Sequence, residues 1–507
     1  MLHKTQGHLV YALDDAYIHM AMAKNGALHG IWGVTRHGFT SSTSSPLWTL
    51  LLLITYVVFG VSEVSPFVLN VLFSTAAVVV SYLVISKQMA SRLGVFAACL
   101  LVLFLTPLPT LTFVGMEHVL HAVLTLSFVY LSARVLSSDP GVPRNSLPLL
   151  AFLAPLLVAT RYEGAFVVFV VCILLILKKR GLLAGAIGTA ALLPVVAYGI
   201  WSLSQGWYFL PNSLLLKTPA PDLTIRGIFN AILGSRLWTH ASTFPDVVCL
   251  LIAALLLLLC YPRRKAGWDA TKYALAIFVG AAVLHLESIE NVVWFYRYEA
   301  YLVLLGTVVI AAAAGHPCPG KAAWRISWKA LPRYAAVALL VTHLAGPLVL
   351  RAIKSLRVTP QATKNLFDQQ YQMGLFLNTY YRNKPVAVND IGAVAFLADA
   401  RLLDLFGLGS MAPARLKRQH LYGSQHLDSL AREEGVVVAV VPPGWYSNRK
   451  WREVGLWRIA NNVVNVDSTV SICAVDSSAV EELVENLRAF ADQLPKDVKQ
   501  LGAYTER

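Results

Sequence analysis

Between residues 66 and 350 the chain keeps returning to apolar runs, several of them about 20 residues long, and that length crosses a bilayer as a helix. Inside lipid every backbone N–H and C=O must find its partner within the segment, so such runs can only be helices. Of the 507 residues, 56% are hydrophobic and 14% charged, with a mean hydropathy of +0.59, which excludes a soluble enzyme. The net charge of +14 would suit a nucleic-acid binder, but the Lys and Arg residues do not gather on one soluble module. They sit in short loops between the apolar runs, where they set membrane orientation, and nucleic acid is not expected as a partner. The cysteines, Cys99, Cys172, Cys249, Cys260, Cys318 and Cys473, show neither a disulfide framework nor metal-ligand spacing. Residues 1–10 are too short and too polar for a cleavable signal peptide.

Ten spans follow from the runs, at residues 64–86, 93–113, 115–136, 147–160, 165–177, 182–203, 246–261, 273–286, 299–314 and 331–350. This count puts every Lys- and Arg-rich loop on one side: Lys87 with Arg92, Arg134 with Arg144, Lys178-Lys179-Arg180, Arg263-Arg264-Lys265, and Lys321 with Arg325 and Lys329. That side is expected to be the cytoplasm. The outer side then receives Glu117 and His118, Arg161 and Glu163, the loop 204–244, the stretch 287–297 and the C-terminus. A further run, 46–61, would reverse the charge rule if it spanned, and it has only about four helical turns. It reads as an interfacial or re-entrant helix. The runs 147–160 and 165–177 read as two short helices meeting at a recess, which keeps Arg161 and Glu163 out of lipid.

The outer face carries the chemistry-bearing residues. Leu13-Asp14-Asp15-Ala16-Tyr17-Ile18-His19 sets two carboxylates ahead of an amphipathic helix over 16–28 that ends at Gly26 and Gly30. Taken alone, the pair is as readily an N-cap and a first-turn acid as a catalytic group. His121 and His343 are the ionisable exceptions within the spans. Ion-coupled transporters tend to place ionisable groups near the midplane, whereas here they gather at one face, which favours a surface-facing active site over a permeation path.

Five stretches in this order, Asp14-Asp15-Ala16-Tyr17-Ile18-His19, Ser44-Ser45-Pro46-Leu47-Trp48, Gly115-Met116-Glu117-His118, Arg161-Tyr162-Glu163-Gly164, and Leu210-Pro211-Asn212-Ser213 with Lys217, resemble the polytopic GT-C glycosyltransferases. Within them the chain is most similar to bacterial relatives of the mycobacterial arabinofuranosyltransferases and protein mannosyltransferases. The resemblance covers residues 13–350. It implies a mostly α, GT-C-like bundle of about ten spans plus interfacial helices. It implies a polyprenyl-phosphate sugar donor, a catalytic Asp in the first extracytoplasmic loop (11–63) and inversion at the anomeric carbon. The family carries a transmembrane helix ahead of the Asp motif, where this sequence has only residues 1–10, so a truncated start is expected. The acidic pair is not the Asp-x-Asp form that holds a divalent metal in oligosaccharyltransferases. No cofactor is expected to be required, and a divalent metal stays open.

The chemistry suits these residue types. An attacking hydroxyl wants a base, and a departing lipid phosphate wants positive charge. One carboxylate serves a single inverting displacement. Adjacent helical residues point about 100° apart, so Asp14 and Asp15 are not expected to share the task. Asp14 is taken as the base and Asp15 as a cap or sugar ligand, with the reverse as the alternative. Arg161, Lys217 and Arg297 are the cations available to the phosphate, unless they anchor headgroups or pair with Glu163 and Glu299. Glu117, His118, Glu163 and Asn212 are candidate substrate contacts. Glu117 and His121 stand one turn apart but lack the order and third ligand of a helical metal site, so donor contact or capping by Glu117 is the better reading.

Past Arg351 short β-branched runs at 385–390, 402–405, 436–441 and 470–475 alternate with helical patterns at 365–381 and 478–494. They predict an extracytoplasmic α/β domain over 354–507, following a membrane domain over 1–353. The domain has no Gly-rich phosphate loop, nothing in it looks catalytic, and acceptor binding is its guessed role. The expected protein is an integral-membrane glycosyltransferase of the bacterial inner membrane, acting on a glycan, lipid or protein acceptor. The alternatives are a lipid-linked sugar flippase or a non-catalytic envelope-assembly partner. In intact cells, cysteines placed at 204–244 or 361–507 should react with an impermeant thiol reagent, and cysteines at 178–180 or 263–265 should not. The opposite labelling pattern would invert the topology.

Overall fold

The structure, a computed structural model, describes residues 1–138, 146–216, 243–260, 268–288, 295–315, 331–445 and 450–505. Each apolar run is a helix. In chain order they are α1 (Asp15–His29), α2 (Pro46–Phe59), α3 (Ser65–Ile85), α4 (Arg92–Leu105), α5 (Leu108–Val114), α6 (His118–Leu136), α7 (Ser146–Thr160), α8 (Gly164–Leu177) and α9 (Gly181–Ser204). Helices Pro245–Cys260, Ala270–Ser288 and Ala300–Ala314 follow, and then Leu331–Leu366. Among the described residues, Ser65–Ile85, Arg92–Val114, His118–Leu136, Gly181–Ser204 and Ala270–Ser288 are long and apolar enough to cross a membrane. The runs at 46–61, 147–160, 165–177, 246–261 and 299–314 form apolar helices shorter than that.

Local chemistry explains the helix ends near the outer loop. Ser45 accepts a bond from the Trp48 amide at 3.3 Å and Pro46 opens α2, the usual start of a helix. α2 then runs for 14 residues, about 21 Å, short of the roughly 30 Å hydrocarbon thickness. α1 differs from its expected amphipathic form. Residues 16–23 are all buried, and Gly26 lies within the helix rather than ending it. The polar residues expected to meet water are met by protein instead: His19 by Thr43 and Thr49, Asn25 by the Gly33 carbonyl, and Lys24 by the Phe396 carbonyl of the C-terminal part. Gly30, at φ 68, closes α1 in the left-handed conformation that costs glycine little.

The boundary expected at 353/354 falls inside a helix. Leu331–Leu366 passes through one π-helical turn, Phe367–Tyr371, into Gln372–Tyr380, so the helix that leaves the bundle also enters the C-terminal layer. There six strands form one mixed sheet: β1 (Pro385–Val388), β2 (Arg401–Asp404), β3 (Val438–Val441), β4 (Arg452–Arg458), β5 (Thr469–Ala474) and β6 (Lys499–Leu501). Their spatial order is β2-β1-β3-β5-β4-β6. β2, β1 and β3 are parallel, with Val386 paired to both Leu402 and Val438, and the remaining pairings are antiparallel. One continuous apolar core joins Tyr11, Tyr17 and Trp48 to Phe376, Val388 and Trp457. The C-terminal layer is therefore packed onto the first loop and shares its core.

Buried charge ties the bundle to the connecting helix. Arg351 donates to Asp246 at 2.7 Å, to Glu299, and to the carbonyl of Tyr296 at 2.6 Å, and all three ionic groups are buried. Glu299, one of the expected partners for an outer-face cation, is thus held by Arg351. Removing one member of such a set strands the others in low dielectric at a cost of about 3–5 kcal/mol. Arg351→Ala should therefore lower the apparent Tm in detergent clearly, and Arg351→Met with Asp246→Asn and Glu299→Gln should recover most of the loss. An unchanged Tm in the single variant would remove the cluster from the list of fold determinants.

Candidate active site

The three parallel strands end on the same side, and their C-terminal ends open onto α1. After β1 come Asn389, Asp390 and Ile391; after β2 come Phe406 and Leu408; beyond β3 stands Trp445. In open α/β sheets this edge is where ligands bind. Facing it are Leu13, Asp14, Asp15 and Ile18, with Arg297 and Tyr298, and together these residues line a cleft of about 250 Å³. That is somewhat below the roughly 300 Å³ at which drug-sized pockets begin, and it suits a sugar-sized group.

The two adjacent carboxylates have different partners. Asp14 occupies the N-cap position of α1 but makes no side-chain bond to it. Its oxygens instead accept from the amides of Gly392 (2.7 Å) and Ala393 (2.8 Å), the first two residues of the helix Gly392–Leu397. The capping expected of this pair thus exists, but its target is a helix 378 residues away. Asp15 accepts from Arg297 Nη2 at 2.7 Å, and its side chain remains 25% exposed toward the cleft. Arg297 is buried. It also donates to the Tyr298 hydroxyl at 3.1 Å, and its Nε has no hydrogen-bond partner among the described residues.

Arg161 is engaged from two sides. It donates to Glu117 at 2.6 Å and to both oxygens of Glu163, at 2.6 and 3.1 Å. Its guanidinium lies 5.2 Å from the Tyr298 ring centre, and that of Arg297 lies 4.9 Å from the same ring. Glu117 also stands 3.6 Å from His19 Nε2, and His19 Nδ1 bonds Thr49 and Thr43 at 2.9 and 3.1 Å. His118 Nε2 is 3.9 Å from Glu117. Glu117 is at the N-cap position of α6 without a side-chain cap bond, so its carboxylate belongs to this network. His121 packs on Tyr301 with ring centres 4.6 Å apart. Among the described residues no group of three or more His, Cys, Asp or Glu is placed to share a metal ion. Lys217 lies outside the described residues.

Asn212 stands at the junction with the sheet layer. Its amide donates to the Gly407 carbonyl at 2.8 Å, beside Ser42, which donates to the Leu408 carbonyl at 2.8 Å. The turn they hold is rigid from within as well. Asp404, at the end of β2, accepts from the amides of Phe406 (2.8 Å) and Gly409 (2.6 Å), and burial pushes its carboxyl up to about 6.

Sequence reasoning missed Asp390. Gln370, in the π-helical turn, donates to it at 3.0 Å and Asn389 at 3.3 Å, which fixes its carboxylate at the cleft wall. A π-turn of this kind often marks a functional position. The signal was present in the sequence as Asn389-Asp390 directly after a β-branched run, with Gly392 following.

A search of solved structures finds two with this architecture, both of ArnT from Cupriavidus metallidurans. One is bound to undecaprenyl phosphate (TM-score 0.54, 14% identity) and covers 93% of this chain and 95% of that one. The other, in the apo state, has a TM-score of 0.53 at 12% identity and covers 93% and 94%. The chain has the fold of ArnT, a GT-C glycosyltransferase. A family model described as a domain of unknown function (DUF8728) matches residues 364–473, which hold the π-turn, strands β1–β4 and all but the last residue of β5. No curated protein matches the chain.

Burial and the facing carboxylate of Asp390 push Asp14 up to about 7; the Ala393 and Gly392 amides pull it down, and Asp15, itself paired with Arg297, adds a smaller push upward. With the folded value raised, protonation favours the folded form. This contribution to stability is fully present below about pH 4, the ordinary range of an aspartate, and is lost as pH rises through about 7. The apparent Tm should therefore fall between about pH 4 and 7 in the wild type and fall less in Asp14→Asn. Parallel profiles would show that Asp14 does not titrate in that window.

Proposed function

We propose that this chain is an integral-membrane glycosyltransferase that moves a sugar from a polyprenyl-phosphate donor to an acceptor hydroxyl, with inversion. The observation that carries the reading is the Asp15–Arg297 pair, half-open to a sugar-sized cleft on the ligand-binding edge of the sheet. The fold shared with ArnT supports it, as does the undecaprenyl phosphate bound to one ArnT structure. The cleft lies on the extracytoplasmic side of the bacterial inner membrane by the charge of the loops.

Asp15 is the base in this reading, and Asp14 is not, because both oxygens of Asp14 are committed to backbone amides. A carboxylate paired with a guanidinium is a poor base. When the donor phosphate enters, Arg297 turns part of its hydrogen bonding to that anion, for which a planar guanidinium is well suited. Asp15 is then released to accept the proton of the attacking hydroxyl. The new bond forms at the anomeric carbon as the bond to the phosphate oxygen breaks, and the lipid phosphate leaves with the electron pair. Lys217 supplies further positive charge to it. Arg161, held by two glutamates, backs the cleft through Tyr298, over whose ring its guanidinium lies. The acceptor is a glycan, lipid or protein hydroxyl, and none of these steps calls for a cofactor.

Asp15→Asn keeps shape and removes the proton acceptor. Purified in detergent with a polyprenyl-phosphate sugar, it should transfer at least about a hundredfold more slowly, the low end of general-base catalysis. Arg297→Lys should weaken transfer as well, because an ammonium cannot reproduce the fork. Near-normal transfer by Asp15→Asn would sink the reading.

A further inference from the structure

The first acidic residue of the pair has no task in the chemistry above, yet it makes the longest-range hydrogen bonds of the site. The helix Gly392–Leu397 follows β1 directly and is held at both of its ends by α1. At its N-terminus, where backbone N–H groups lack intrahelical partners, Asp14 receives Gly392 and Ala393. At its other end Lys24 donates to the Phe396 carbonyl, and its Nζ lies 5.4 Å from the Phe396 ring centre. A carboxylate at the positive end and an ammonium at the negative end is the arrangement the helix dipole favours. The two ends also fit in length. Asp14 and Lys24 are about 15 Å apart along α1, the short helix spans roughly half of that, and the lysine side chain leans back toward the start of its helix.

The contact is tight enough to exclude a methyl group. A Cβ on Gly392 would lie 2.0 Å from the Asp14 carbonyl oxygen and 2.7 Å from its Oδ2. The residues just ahead of this helix, Asn389 and Asp390, line the cleft opposite Asp15. On the reading of Asp15 as base, we infer that Asp14 is a positioning residue: with Lys24 it clamps the helix Gly392–Leu397 and so fixes Asp390 and the sheet edge against the Asp15–Arg297 pair. Adjacent residues of a helix point about 100° apart, so anchoring Asp14 to the clamped helix also directs Asp15 into the cleft.

Two substitutions break the clamp from opposite sides, Asp14→Ala by removing the acceptor and Gly392→Ala by adding the Cβ. In full-length protein each should raise amide hydrogen exchange across 392–397 by about tenfold or more, the cost of losing even one of the two hydrogen bonds to Asp14. Each should also cut kcat by about as much while the donor KM stays within about twofold. Because both act on one contact, the double variant should be no worse than the more damaging single one. Asp14→Asn, which still accepts one amide, should restore part of the exchange protection and part of kcat, and Lys24→Met should show a smaller loss in the same direction. The inference is overturned if exchange across 392–397 is unchanged in Asp14→Ala, or if the effects of Asp14→Ala and Gly392→Ala multiply. Should the wild type transfer no sugar at all, the proposed activity fails and the exchange data alone decide the clamp.

Discussion

The Asp14 carboxylate, shared between the amides of Gly392 and Ala393, joins the two halves of the molecule where the chemistry would occur. A helix of six residues buries its orphan N–H groups against α1 only if something on α1 accepts from them, since each unmet buried donor costs about 1–3 kcal/mol. Asp14 meets that need from the bundle side. The C-terminal layer thus gains a fixed register on the first loop, and α1, buried along residues 16–23, gains a roof. The shared apolar core says the same in area that this hydrogen bond says in direction.

Charge in the bundle follows a simple pattern. Arg161 serves Glu117 and Glu163, and Arg351 serves Asp246 and Glu299, so each of these buried arginines is taken up by two carboxylates. Such sets are costly to break and contribute little beyond that, which fits the role of bracing helix ends. Arg297 is placed differently. The carboxylate it meets is the half-open one of Asp15, and its other contacts are the weaker Tyr298 hydroxyl and Met116 sulfur. A guanidinium whose carboxylate partner faces a cleft is chemistry held in reserve, whereas the two arginines braced by buried or nearly buried carboxylates are structure.

Much of this was legible in the sequence, and the boundary of legibility is physical. Hydrophobic runs dictate helices in lipid whatever packs around them, so the span at 64–86 is readable without a partner and is found as Ser65–Ile85. The same holds for the stop at Gly30, which is local. The Arg161–Glu163 pairing, two residues apart, was readable as an alternative, but the partners of Asp14 and Asp15 and the Glu117 partner of Arg161 were not, because spacing along a chain does not say what lies across a fold. α1 was misjudged for the same reason: His19 and Asn25 suggested a wetted face, but His19 is satisfied by Thr43 and Thr49, and Asn25 by the Gly33 carbonyl. Gly392 reads in sequence as a strand-end turn, and only the approach of Asp14 explains why no side chain fits there.

The topology explains why one small loop has so much to hold. Parallel pairing of β2, β1 and β3 sends the turn after each of them toward the bundle. Two of those turns are pinned by side chains from the bundle: Gly392 and Ala393 by Asp14, Leu408 by Ser42, and Gly407 by Asn212. Asp14 and Ser42 both come from the first loop, which also carries Asp15. The loop that offers a carboxylate to the cleft is therefore the loop that positions the opposite wall. A shift of the sheet layer would move Asp390 and Asp15 relative to one another, and a displacement of about 1 Å at a reacting centre is enough to cost a hundredfold in rate. The side chains that pin the layer are thus as necessary to a transfer reaction at this cleft as the groups that face the substrate.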